Sequence, residues 1–113
     1  MKTQEKLKDE DGFRMWLLES RSISRRVSSN YISRCKRVQK ELSIDLNNSV
    51  RGENKFIDIM IKIQEFAIKK ADSKEAAYNL AGSLRLAVKR YAEYICAQKA
   101  RNYPSNYKLT KYD

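Results

Sequence analysis

The sequence predicts an all-α fold, a four-helix bundle followed by a short irregular C-terminal tail. Three observations predict it. Apolar residues recur at helical spacing in successive stretches, most cleanly at Val27, Tyr31, Cys35, Val38 and Leu42, the period of one helical face. Capping signatures stand ahead of two such stretches, at Ser24 and at Asp72-Ser-Lys-Glu75. The single proline, Pro104, stands where the last periodic stretch gives way to a tail of different character.

The chain has 113 residues, 42% of them apolar and 34% charged, which suits one domain with a modest core beneath a highly charged surface. Residues 1–8 read as a polar, frayed lead-in, 9–99 as a single helical domain and 100–113 as a Tyr/Lys-rich tail.

In the first helix, Asp9-Glu10-Asp11 places negative charge where a helix N-terminus favours it. Phe13, Trp16 and Leu17 follow at i, i+3 and i+4, with Trp16 a core anchor, and the helix ends near Ser20. Ser22-Ile23-Ser24 is a turn, and Ser24 caps the second helix. Residues 43–48 break the pattern, and Gly52 lies in the following connection. The third helix runs from about Asn54 to Lys70. Phe56, Ile57, Met60, Ile61, Ile63, Ala67 and Ile68 cover more than half its circumference, leaving Asp58, Lys62, Glu65 and Lys69 outside. So broad an apolar arc marks the centre of the core or, alternatively, a partner interface.

Asp72 caps the fourth helix, with Glu75 three residues on, and the helix reaches about Lys99. Ala77, Leu80, Ala81, Leu84, Val88, Tyr91 and Ile95 make its buried stripe, and Leu86 falls on the polar face. Gly82 costs this helix about 1 kcal/mol relative to alanine; close approach of another helix or a ligand backbone would compensate. In the tail, Tyr103, Tyr107 and Tyr112 alternate with Lys108 and Lys111. That interleaving suits stacking and phosphate contact with nucleic acid, or tyrosines folded back onto the bundle.

Charge gives the first functional direction. The net charge is +10, and it is unevenly placed: Arg21 to Lys40 contain seven Lys/Arg and no acid, and residues 76–113 contain seven bases against two acids. Two positive blocks point to a polyanion, most often nucleic acid, with a membrane surface or an acidic protein as alternatives. On the second helix Arg26, Asn30, Ser33, Arg37 and Lys40 line one flank clear of the apolar stripe, with Arg25 and Arg34 adding to the block. On the fourth, Tyr78, Arg85 and Lys89 share one flank and Asn79, Ser83 and Arg90 the other.

Several chemistries are excluded. A chain without histidine supports no Ser/His/Asp or Cys/His arrangement, and it contains no phosphate loop, dinucleotide fingerprint or EF-hand loop. Pairs such as Asp58 with Glu65, or Glu41 with Asp45, read as helix-surface charges. Cys35 and Cys96 lack metal-ligand spacing and read as reduced thiols; they could bridge only if the second and fourth helices met there. The expectation is a non-catalytic protein without cofactor or metal. It is expected to be cytoplasmic, since the polar N-terminus shows no signal-peptide pattern and no apolar run approaches membrane-spanning length.

Two segments resemble a known family. Phe13-Arg-Met-Trp-Leu17, the turn at Ile23-Ser24, and Tyr31 seven residues after that serine resemble the opening of the core-binding domain of tyrosine recombinases. Asn79-Leu-Ala-Gly-Ser-Leu-Arg-Leu-Ala-Val-Lys-Arg-Tyr-Ala-Glu-Tyr-Ile95 is similar to that domain's last helix. Val27 departs from the pattern, which often has threonine there. The resemblance implies a four-helix SAM-like fold that clamps duplex DNA, its second and last helices meeting the major groove. It implies contacts at Arg26, Asn30, Ser33, Arg37, Gly82, Arg85 and Lys89. The family's catalytic domain has no counterpart in these residues, so recombination by this chain alone is not expected. The combined expectation is a double-stranded DNA-binding protein, and the resemblance suits an accessory of a mobile element or prophage. It would contact DNA through Arg25, Arg26, Asn30, Ser33, Arg34, Arg37 and Lys40 on the second helix and Gly82, Arg85 and Lys89 on the fourth. The alternative is a protein-interaction module or inhibitor that docks its basic face on a protein partner, favoured by Leu86 and the breadth of the third helix. RNA is a third partner class, supported by the tyrosine-rich tail.

Overall fold

A computed structural model describes residues 6–103, and among them every regular element is helical. Ahead of α1 (Glu10–Glu19), Asp9 adopts the left-handed region, φ 58°, and two acids occupy the first turn. Tyr94 donates a 2.6 Å hydrogen bond to the Asp9 carboxylate across this turn. A Cβ on Gly12 would collide with both the Tyr94 hydroxyl and that carboxylate, so glycine is what allows the contact. Phe13 and Leu17 are fully buried. Trp16 is half-buried against the core, stacked on Phe13 and covered by the Arg21 guanidinium.

α2 (Arg25–Leu42) starts where expected: the Ser24 hydroxyl accepts from the Val27 amide at 3.2 Å. It ends at Ser43 in the left-handed region, φ 53°. Asp45 then caps a single turn, α3 (Leu46–Ser49), accepting from the Asn47 amide. α4 (Glu53–Lys70) and α5 (Lys74–Ile95) are joined through only Ala71, Asp72 and Ser73, which makes them antiparallel neighbours. The cap of α5 falls one residue later than expected. Ser73 is extended and its hydroxyl accepts from the Ala76 amide at 3.1 Å. α5 also stops earlier, because the backbone departs from helix at Cys96; one further turn, α6 (Ala97–Ala100), covers the rest.

α5 is the central element, touching each of the other five helices. Ala77, Ala81, Ala87 and Ala92 keep its buried side slender enough for close approach, while Leu84, Val88 and Tyr91 fill the spaces between. Leu80 and Ile95, expected in this stripe, are only half-buried. Gly82 has nothing within 4 Å of its Cβ position, so no close approach among the described residues explains it. On α4 the buried set is Phe56, Ile59, Met60, Ile63 and Ala67. Ile59 replaces Ile61 and Ile68, which are 42% and 46% exposed. The apolar arc is wider than the neighbouring helices α2, α3 and α5 can cover, and its excess stays outside. Val27, in the capped first turn of α2, is likewise exposed.

The two chain ends are tied to this core. Leu7 is buried; the Lys6 carbonyl accepts from Gln39 Nε2 at 3.1 Å and the Lys8 carbonyl from the Tyr91 hydroxyl at 2.8 Å. Residues 6–8 are therefore anchored rather than frayed. At the other end Tyr103 is buried, stacks on Phe56 at 4.7 Å between ring centroids and donates to the Val50 carbonyl at 2.7 Å. Of the tail tyrosines, Tyr103 takes the folded-back alternative; Tyr107, Lys108, Lys111 and Tyr112 lie outside the described residues. Both cysteines are free thiols, Cys35 donating to the Ala87 carbonyl and Cys96 to the Val50 carbonyl. Burial pushes the Cys35 thiol well above its ordinary pKa. No helix among the described residues is long and apolar enough to cross a membrane.

Candidate nucleic-acid interface

The geometry of α2 follows from its period. Ser28, Tyr31, Ile32, Cys35, Val38 and Gln39 turn inward, which at about 100° per residue sets Arg26, Asn30, Ser33, Arg37 and Lys40 on the opposite side. Arg25, Arg26, Asn30, Ser33 and Lys40 are exposed; Arg34 and Arg37 are half-buried. From Arg26 to Lys40 this face runs about 21 Å at 1.5 Å per residue, longer than the roughly 12 Å width of a major groove.

The bases around it fall into two groups. Some are neutralised where they stand: Glu10 pairs with Arg14 at 3.5 Å and with Lys36 at 3.0 Å, and Glu93 pairs with Arg21 at 3.1 Å. Arg14 also donates to the Ser29 hydroxyl at 3.0 Å, securing the α1 edge of the face. Arg25, Arg26, Arg34 and Arg37 form no ion pair among the described residues. The Arg37 guanidinium lies over the Phe66 ring of α4, 5.5 Å from its centroid, a contact that orients the group while leaving its charge uncompensated. Cations held on a rigid helix without counter-ions are the chemistry of a polyanion surface.

Gly82, Arg85 and Lys89 of α5 are half-buried, and they do not join this face. The Cys35 thiol meets the Ala87 carbonyl, so α2 lies on the Ala87 side of α5. Arg85 and Lys89 are each two residues from Ala87, which turns them roughly 160° away around the helix axis. The physical reason is simple. α2 spends its apolar stripe on α5, so its basic face points away from α5, and whatever α5 exposes must open elsewhere. The structure thus gathers Arg25, Arg26, Asn30, Ser33, Arg34, Arg37 and Lys40 on one helix and places Gly82, Arg85 and Lys89 on a different face. Arg90, on the other flank of α5, is engaged by Glu93 at 3.1 Å.

The fold's perturbed titrations are away from this surface. Burial pushes Tyr91 up to about 12; burial, then its contact with Cys96, does the same to Tyr103; the Asp9 hydrogen bond does so to Tyr94. Among the described residues no three or more Cys, Asp or Glu side chains gather as a metal site would require. The α4–α5 hairpin carries one further exposed feature. Ile61, Ile68, Tyr78 and Leu86 are all exposed on the α4–α5 hairpin, and the signal for it was the excess width of the α4 apolar arc. Comparison with protein-family models, curated proteins and solved structures gives no match.

Proposed function

We propose that this chain is a non-catalytic DNA-binding protein that meets the duplex with the outward face of α2. The observation that carries the reading is the set of four arginines, Arg25, Arg26, Arg34 and Arg37, that form no ion pair among the described residues and stand on one 18-residue helix. In this reading Arg25, Arg26, Arg34 and Lys40 pair with phosphates, and Asn30, Ser33 and Arg37 stand nearest the base edges. Arg85 and Lys89, on another face, contribute long-range field and no direct contact to the same groove. A SAM-like arrangement related to recombinase core-binding domains, and a role as accessory protein of a mobile element or prophage, belong to the same proposal. They are supported by the resemblance of residues 13–17 and 79–95.

The test is binding to a random-sequence duplex across a salt series. Four to five phosphate contacts give log affinity against log salt a slope of about −4, at roughly −0.9 per contact. Replacing Arg25, Arg26 and Arg34 together by alanine should flatten that slope by about 2.7, with the melting temperature measured alongside. Replacing Arg85 and Lys89 by alanine should leave the slope nearly unchanged. Absence of duplex binding at 50 mM salt, or a triple variant that binds like the parent, refutes the reading. Preference for single-stranded RNA over duplex would replace DNA with RNA.

A further inference from the structure

α4 packs beside both α2 and α5, and its two flanks differ. Gln64 and Ile68 line a cavity with Ala77 and Tyr78 of α5, so that flank faces α5. Phe66 is two residues from each, turned about 160° away around the helix axis and onto the opposite flank. There its half-buried ring lies beneath the Arg37 guanidinium of α2, 5.5 Å from the ring centroid. Lys69 and Lys70 stand three and four residues after Phe66, one turn further on the same flank. Both are exposed, and neither forms an ion pair among the described residues. Lys62, one turn before Phe66, differs, because Asp58 holds it at 3.2 Å. The acids nearest along the two helices are Glu41, four residues after Arg37, and Glu65, four before Lys69; both are exposed, and neither pairs with Arg37, Lys69 or Lys70. With Arg34 and Arg37 on one side and Lys69 and Lys70 on the other, the border between α2 and α4 carries four bases against those two acids. A helix C-terminus favours lysine in its own right, which accounts for the residue type. The Arg37–Phe66 contact decides which way that turn faces.

We infer that the DNA-contacting surface continues from α2 across the Arg37–Phe66 contact onto the last turn of α4, where Lys69 and Lys70 bind phosphates. The inference rests on the DNA reading of α2 and extends it to a second helix. Packed helices stand about 8–10 Å apart, and the major groove is about 12 Å wide. With the outward face of α2 in the groove, α4 therefore stands at the groove's rim, where the phosphates of one strand run. Lysine suits that place, since its ammonium is a point charge that pairs with phosphate without demanding a planar match. Arg37 suits the groove itself, since its planar guanidinium is steadied on an aromatic face and keeps its charge uncompensated. The second helix of the surface is thus α4, while Arg85 and Lys89 of α5 remain on another face.

The experiment measures binding of the whole chain to a random-sequence duplex across a salt series by fluorescence anisotropy. The α2 contacts alone give a slope of about −4, and two further phosphate contacts steepen it to about −6. Lys69→Ala combined with Lys70→Ala should return the slope to about −4 and weaken binding about tenfold or more at about 0.1 M salt. Arg85→Ala combined with Lys89→Ala removes the same charge from a different face and should leave the slope nearly unchanged. Glu65→Lys should tighten binding and steepen the slope by about 0.9, a gain that loss of folding cannot produce. The melting temperature checks that each variant folds. A lysine variant that keeps the parent slope, while the Arg25, Arg26 and Arg34 variant loses its contacts, overturns the inference and leaves the DNA reading of α2 standing. Equal losses from the lysine variant and the Arg85 and Lys89 variant overturn it as well, because net charge alone would then account for both. So does duplex binding unchanged in the lysine variant alongside lost binding to anionic phosphatidylserine vesicles, which would assign these lysines to a membrane surface. Absence of duplex binding by the parent overturns both readings together.

Discussion

Tyr91→Phe removes one oxygen from the centre of the molecule and nothing else. The ring is fully buried and packs edge-on against Phe13 at 5.2 Å between centroids, a contact phenylalanine preserves. The hydroxyl donates to the Lys8 carbonyl at 2.8 Å and accepts from Asn47 Nδ2 at 3.2 Å. Its two partners respond differently. Lys8 is exposed, so water replaces the lost donor at its carbonyl. Asn47 is buried and its Oδ1 already serves Arg51, so its amide loses an acceptor in a dry site. A hydrogen bond of about 1 kcal/mol and an orphaned buried donor of 1–3 kcal/mol together predict a loss of about 2–4 kcal/mol. For a domain of this size that lowers the melting temperature by about 10 °C, read by circular dichroism at 222 nm and pH 7. The pH dependence supplies an internal check. Burial raises the Tyr91 phenol to about 12 from 10, so the folded state favours the neutral form. That contribution is complete below pH 10 and is lost as pH rises from 10 to 12. Phenylalanine has no proton to lose, so the gap between parent and variant should close across that interval, by about 1.4 kcal/mol per unit at most. A deficit under 1 kcal/mol at pH 7, or a constant gap up to pH 11.5, would refute the account.

Two further comparisons isolate local devices. Ser73→Ala should cost about 1 kcal/mol in chemical denaturation and Asp72→Ala only a few tenths, since the hydroxyl of Ser73 is the one bonded to the Ala76 amide; the reverse order would return the cap to Asp72. The glycines of α1 and α5 should respond with opposite signs. Gly12→Ala forces the Tyr94 hydroxyl and the Asp9 carboxylate apart and should destabilise by about 1–3 kcal/mol. Gly82→Ala, with empty space at its Cβ position, should stabilise by up to about 1 kcal/mol, and a destabilising Gly82→Ala would reveal a packing constraint the structure lacks.

What could be read from the chain alone was what is local. The Ser24 cap involves groups three residues apart, and it formed as expected. The inward faces of α2 and α5 follow from periodicity, which a single helix carries in its own sequence: Tyr31, Cys35 and Val38 on one, Ala77, Ala81, Leu84 and Val88 on the other. The run from Arg21 to Lys40, with seven bases and no acid, is likewise a property of consecutive residues. Ambiguity arose where two local solutions compete. Asp72 and Ser73 both offer a capping oxygen, and periodicity alone does not say which third of a very broad apolar arc will find neighbours. On α4 packing chose Ile59 and left Ile61 and Ile68 outside.

Contacts distant in sequence were decided by the tertiary structure alone. Leu7 and Tyr103 look like parts of polar ends, yet Lys6 is held by Gln39, Lys8 by Tyr91 and Tyr103 by Val50. No window of the sequence contains both members of those pairs. The same holds for the two basic stretches. Their composition shows that each carries a cationic flank, while the meeting of Cys35 with Ala87 sets the direction in which each flank points. All-α character, the helix faces and the charge of α2 thus belong to the sequence, because each arises from neighbours within a few turns. The separation of Arg85 and Lys89 from the α2 face belongs to the packing, because rotation of one helix against another is set by the side chains between them.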